Sequence, residues 1–204
     1  MGKSLTDHMF PMRGEVILRV LDLKGTCLQR YEFKNTITYV APLVLMDLIT
    51  QNTLDVGPVA TFGASHPADA ARGFGGVTTL VSDPNRNAIR YMRIGKDNTA
   101  AARAQTSLVD QIGAASDDGT EILQSITFPS NAAIRFVALF GAAKANVSPL
   151  TIEEVSLWTR GSALVEDLST GGFVDSRMFA RQIHGPIAKT DQMQLEYTWT
   201  VYFS

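Results

Sequence analysis

The chain has one cysteine, Cys27, in 204 residues. A single thiol closes no internal disulfide, so a cross-linked secreted scaffold is excluded. Cys27 is expected to be a buried thiol in a chain made in the cytosol, with an interchain bridge as the minor reading. Histidine is almost as scarce: His8, His66 and His184 are the only three. None has another His three or four residues away, and there is no Cys pair, so no metal-ligand spacing exists. Charge is low as well, at 19% Asp, Glu, Lys and Arg. A net charge of -2 and a pI near 5.9 give no electrostatic drive toward nucleic acid. No apolar run approaches the roughly 18 residues of a membrane span. The start, Met1-Gly-Lys-Ser-Leu-Thr6, lacks the continuous apolar core of a signal peptide and only loosely fits a myristoylation pattern.

Catalytic patterns are missing too. There is no Gly-x-Ser-x-Gly elbow, and Gly161-Ser-Ala163 lacks the strand–turn–helix context that an activated serine needs. Gly73-Phe-Gly-Gly76 has no preceding strand and no following Lys-Ser/Thr, so it is not a phosphate loop. Glu153 and Glu154 are adjacent, and adjacent residues of a strand point to opposite faces, so they cannot share a proton. Asp117-Asp-Gly119 reads as a solvated turn, and Asp83–Asn87 as a cap or a turn. Arg86, Arg90 and Arg93 lack interleaved aromatics and read as surface ion-pair partners. The expectation is therefore no catalytic residue, no cofactor and no metal site.

What the chain does have is extended structure. From Met193 to Phe203 every odd position is apolar or aromatic: Met193, Leu195, Tyr197, Trp199, Val201 and Phe203. Period-two alternation over eleven residues predicts a long antiparallel strand with its odd side chains inward. An edge position is expected, covered by a neighbouring subunit, because an open edge of that length invites uncontrolled pairing. The aromatics of this strand could line a sugar groove, but at strand spacing they read first as core.

Upstream, residues 15–21 and 27–34 flank Asp22-Leu-Lys-Gly25 and predict a hairpin. Pro42 followed by Leu43-Val-Leu-Met-Asp-Leu-Ile49 predicts a mostly buried helix over 40–51. Ser107 with Asp110 resembles a capping box and predicts a short helix at 107–112. Further strands are expected at 88–94, 121–128, 134–140, 151–159 and 176–184, the last ended by Gly185-Pro186 and followed by a turn at 189–192. In the strand at 151–159, Val155 and Leu157 take one face and Trp158 the other. Residues 160–172 read as a loop. Residues 1–13 read as an N-terminal arm. Residues 52–88 are rich in Gly and Pro, without lasting period, and read as an insertion packing on a partner or a poorly ordered loop. About eight strands with turn signals every 8–15 residues predict a mainly β, jelly-roll-like antiparallel sandwich with one or two short helices. It is expected to be a single domain over 14–204, carrying the 52–88 insertion.

Five segments in order resemble a group of tailed-bacteriophage virion proteins found among tail, collar and fibre-associated components. They are Lys34-Asn-Thr-Ile-Thr38 running into Leu43–Ile49, Tyr91-Met-Arg-Ile-Gly95 with Thr99–Leu108, Ile152-Glu-Glu-Val-Ser-Leu-Trp158, Arg181–Lys189, and Leu195-Glu-Tyr-Thr-Trp-Thr200. The chain departs from that pattern at Asp97 and Ser156, where small glycines are usual, and in the length of 52–88. The resemblance implies a non-enzymatic virion component in the tail, collar or neck, assembled in the host cytoplasm. Its partners would be copies of itself and other virion structural proteins, with no nucleic acid and no membrane. The alternatives are a receptor- or glycan-binding tail module and a capsid decoration protein. A polysaccharide hydrolase would need two carboxylates facing each other across a cleft.

Overall fold

A computed structural model describes residues 12–37, 41, 89–102, 104–113, 118–146, 151–159 and 177–203. These form nine strands with almost no helix: β1 (Met12–Asp22), β2 (Cys27–Ile37), β3 (Ile89–Gly95), β4 (Thr120–Ile122), β5 (Ser125–Ser130), β6 (Ala133–Phe140), β7 (Ile152–Thr159), β8 (Met178–Ile187) and β9 (Met193–Phe203). All pairings are antiparallel.

They build two sheets that share one strand. The first runs β2-β1-β9-β6-β5; the second runs β2-β8-β7-β3-β4. β2 pairs with β1 from Cys27 to Asn35, and only its last two residues, Thr36 and Ile37, pair with Arg181 and Ala180 of β8. The predicted hairpin is present. Asp22 Oδ1 accepts from the backbone N–H groups of Lys24 and Thr26, both at 2.8 Å, and Gly25 sits at φ 83°. That φ suits a residue without Cβ, and the Asp side chain closes the turn as Asp commonly does.

The core lies between the sheets. Val16, Leu18 and Val20 of β1 and Leu195, Tyr197, Trp199 and Val201 of β9 meet Val155 and Leu157 of β7, Met92 and Ile94 of β3 and Ala180 of β8, all buried. The odd positions of β9 thus point inward, as the alternation requires. The position expected for this strand is corrected, however. β9 is central, paired with β1 along its whole length and with β6 from Leu195 to Tyr202. The chain covers this strand itself and needs no neighbour to do so.

Other corrections follow from pairing that local pattern does not encode. The single strand expected at 121–128 is two: β4 in the second sheet and β5 in the first, divided at Leu123 and Gln124. Residues 107–113 form no helix, because Gln111 bridges Gly95 and the backbone N–H of Ile112 bonds Ile94 O at 3.0 Å. β8 continues through Gly185-Pro186 to Ile187, with a register shift against β7 between Ile152 and Glu154 absorbing the two residues. Met12 and Arg13, expected in the arm, begin β1, and Cys27 is exposed rather than buried. The strands at 88–94, 134–140 and 151–159 stand near their expected bounds, and Asp191-Gln192 turns between β8 and β9. Val155 and Leu157 face the main core while Trp158 faces the opposite side. The rest of the arm, the helix at 40–51 (apart from Ala41), the insertion at 52–88, the loop at 160–172, His8, His66, Arg86, Asp117 and Gly161–Ala163 lie outside the described residues.

Candidate functional site

The outer face of the second sheet carries the densest polar chemistry. β7 alternates, so Glu154, Ser156 and Trp158 point away from the core that Val155 and Leu157 enter. β8 places Arg181 opposite Ser156. Residues 96–102 and 104–113 lie over this face and bury it. Arg181 and Glu154 have side-chain exposures of 1% and 0%. Arg181 Nε and Nη2 both donate to Glu154 Oε2, at 2.8 and 2.7 Å. Its Nη1 reaches Thr99 O at 3.0 Å and Gln105 Oε1 at 2.8 Å, and its Nη2 reaches Asp97 Oδ2 at 3.3 Å. Glu154 Oε1 accepts from the Asp110 N–H at 3.2 Å. One guanidinium thus holds a carboxylate beneath it and the overlying segment above it. Gly95 is required in this arrangement, because a Cβ there would strike Glu154 Oε1 and come within 2.7 Å of Asp110 O.

Neighbouring groups extend the layer. Although its partial desolvation pushes the other way, the hydrogen bonds from Thr99 and the Arg181 charge hold the Asp97 carboxyl below its ordinary range. Arg93 is buried, with its guanidinium carbon 4.1 Å from the centre of the Trp158 ring, a cation–π geometry. Burial pushes it down to about 10. Its sequence context suggests the surface, whereas the residue is buried. Trp158 Nε1 donates to Ser156 Oγ at 2.6 Å. Asp97 and Ser156, the two departures from the virion-protein pattern, therefore both hold hydrogen bonds in this layer.

A second polar group sits between the sheets. His184 and Tyr197 are buried, and Tyr197 Oη lies 2.9 Å from His184 Nε2. His184 Nδ1 lies 2.8 Å from Gly185 O, which can only accept. The proton is therefore on Nδ1, and Nε2 accepts from the tyrosine hydroxyl. The sequence places His184 at a strand end; it lies within β8. The ring is one step in an aromatic series running from surface to core: Tyr31 stacks on Phe33, then His184, Tyr197 and Phe140 follow, each centroid 5.8 to 6.3 Å from the next.

Burial pushes His184 below 6.5, against the Gly185 hydrogen bond and the Glu153 charge that favour the cation. The unfolded chain therefore takes up this proton first as pH falls. Stability associated with His184 is full above 6.5 and is lost progressively below it, until the folded imidazole also titrates. Urea unfolding at pH 8 and pH 5 is expected to show this loss in the native chain. A smaller loss is expected in His184→Phe, the difference isolating this imidazole from His8 and His66. Equal losses in the two chains would assign the acid sensitivity elsewhere.

Lys189 is buried too, its ammonium donating to Ala142 O at 3.2 Å, Asn146 Oδ1 at 3.1 Å and Thr190 O at 3.4 Å. Desolvation pushes its pKa down, opposed by Asp118 and Asp191. Asp118 itself accepts from the Ala145 N–H at 2.9 Å, so that turn ties two loops together. Glu153 and Glu154 diverge as alternation requires, the latter alone being fully buried. Among the described residues no three His, Cys, Asp or Glu side chains converge as metal ligands, and no helix is long and apolar enough to cross a membrane.

Two strands at opposite ends of the first sheet face outward. β5 exposes Ile126 and Phe128, the latter 72% exposed. β2 is exposed along Cys27–Glu32 and again at Lys34, presenting Leu28 and Tyr31. The hairpin pattern alone does not mark β2 as an edge, so its charges carry no such signal in the sequence. No family model, curated protein or solved structure matches this chain.

Proposed function

We propose that the chain is a structural component of a bacteriophage virion, in the tail, collar or neck region, acting by homo-oligomeric assembly and docking to other virion proteins. The body is read as jelly-roll-like, with an N-terminal arm. The observation that carries the reading is where the chemistry points. The buried ionisable groups Glu154, Arg181, His184 and Lys189 direct their hydrogen bonds to the chain's own groups. Apolar side chains and strand edges are turned outward instead. That distribution suits a part whose surface meets neighbours. The ordered sequence likeness to virion proteins supports the same reading.

Glycan binding is the weaker alternative, because of the three aromatics a sugar groove would need, Tyr197 and Trp199 have no exposed surface and Phe203 is only half-buried. Gradient-purified phage particles, blotted and immunogold-labelled with an antibody to this chain, test the proposal. The chain should co-sediment with particles at a fixed ratio and label one region of them. Its absence from particles, or specific retention on a glycan array by the free chain, would overturn the reading.

A further inference from the structure

β2 and β5 are both outer strands of the first sheet, but they differ in how they meet solvent. β5 carries Pro129, and its pairing with β6 shifts between Thr127 and Ser130. A proline and a bulge are the usual devices that stop an edge from pairing onward. β2 has no proline, and its one bulge, at Leu28 opposite Val20 and Leu21 of β1, lies at the start of the strand. From Cys27 to Lys34 it contains no Pro and no Gly, and it runs in even register with β1 from Gln29 onward. Among the described residues, β8 closes the other side of β2 only at Thr36 and Ile37. Among the described residues, that leaves Gln29 to Lys34 as a regular edge with no partner strand on its outer side.

The side chains of this edge match themselves. Arg30, Glu32 and Lys34 fall on one face in alternating sign, and Arg30 Nη2 already lies 2.6 Å from Glu32 Oε1. Tyr31 and Phe33 fall on the other face and stack, 6.3 Å between centroids. Register decides which self-pairing these residues permit. An antiparallel two-fold about position 30 sets Arg30 against Arg30, and one about 32 sets Glu32 against Glu32. Like charges directly opposite are unfavourable. A two-fold about 33 runs Arg30 into Thr36, where β8 already occupies the edge. A two-fold about 31 sets Arg30 against Glu32 twice, making a square of alternating charge. It also sets Tyr31 against Tyr31, and Gln29 against Phe33. Its regular core is residues 29–33, all in even register with β1 and clear of the bulge at Leu28.

We propose that β2 pairs antiparallel with β2 of a second copy about a two-fold axis at Tyr31, joining two five-stranded sheets into one. The partner is this same chain, and the contact is isologous, so it closes as a dimer rather than growing into a fibre. This deepens the self-assembly part of the proposed function and rests on that reading only for copies of the chain meeting one another.

Charge reversal in the full chain tests the pairing by sedimentation equilibrium. Arg30 and Glu32 side chains are 55% and 66% exposed, so the substitutions leave the fold intact, checked by circular dichroism. Arg30→Glu alone and Glu32→Arg alone should each weaken the dimer about tenfold or more, since each puts like charges opposite at two symmetric positions. The double exchange R30E/E32R should restore it. Tyr31→Cys in a Cys27→Ser background should form an interchain disulfide on mild oxidation. Directly opposed antiparallel residues sit about 4.5–5.5 Å apart at Cα, within disulfide range. A dimer indifferent to both single reversals, or a native chain monomeric up to its solubility limit, would overturn the pairing. Particle incorporation separates the two proposals. Arg30→Glu chains that still enter particles in native amounts remove the β2 contact and leave the virion reading standing.

Discussion

Replacing Arg181 with Met is expected to lower the unfolding free energy by about 3–5 kcal/mol, the usual result of removing one partner from a buried ion pair. Methionine fills much of the same volume, so the loss is chiefly electrostatic. Glu154, with no exposed surface, would keep one hydrogen bond, from Asp110 N–H, and lose both from the guanidinium. Thr99 O would lose the guanidinium donor at the same time, and Gln105 Oε1 would keep only the Ala102 N–H. Adding Glu154→Leu should recover most of the loss, because an apolar pair of similar volume avoids the desolvation of both charges. Urea titrations of the native chain, both single variants and the double give the coupling energy as a thermodynamic cycle. A single-variant loss under about 1 kcal/mol, typical of solvent-exposed pairs, would mean that residues 96–102 and 104–113 do not seal this face.

How much of this could be read from residues alone depends on the range of the interaction. Periodicity is local, so β1, β2, β7 and β9 were legible, down to the opposite faces of Val155 and Trp158. The placement of β9 was not. Strand length says nothing about how many neighbours a strand has, and here β1 and β6 come from positions far apart in the chain. The division of 121–128 was hidden for the same reason. Thr120–Ile122 pairs with β3 and Ser125–Thr127 with β6, and nothing in the intervening Leu-Gln announces a change of sheet. At 107–112 a capping-box pattern was present, but Gln111 and Ile112 bond to β3, and tertiary pairing overrode a weak local preference. The clamp was least visible of all. Glu154 and Arg181 are separated by 27 residues and Asp97 and Arg181 by 84, and no spacing rule connects them. A carboxylate on a strand that also carries Ile152, Val155, Leu157 and Trp158 was the one available signal, since Glu154 so placed needs a cation once that face is covered.

Truncating Trp199 to Ala is expected to cost about 3–5 kcal/mol, the range for emptying a buried aromatic site. Its position explains why the site should not collapse to compensate. Trp199 is the middle of a row that crosses the first sheet, with Val16 and then Phe33 on one side and Phe136 and then Ile126 on the other. Its neighbours are fixed by backbone pairing on both flanks of β9, so they cannot slide into the void, and the opposing sheet is held by its own ladder. The indole N–H of Trp199 is buried without an acceptor among the described residues. Trp199→Phe therefore discards an unsatisfied donor along with some volume, and its cost should be well below that of alanine, about 1–2 kcal/mol. Chemical denaturation followed by far-ultraviolet circular dichroism measures both without relying on the deleted fluorophore. Equal costs for Phe and Ala would show that the indole N–H is bonded in solution. A small cost for both would remove β9 from the centre of the core.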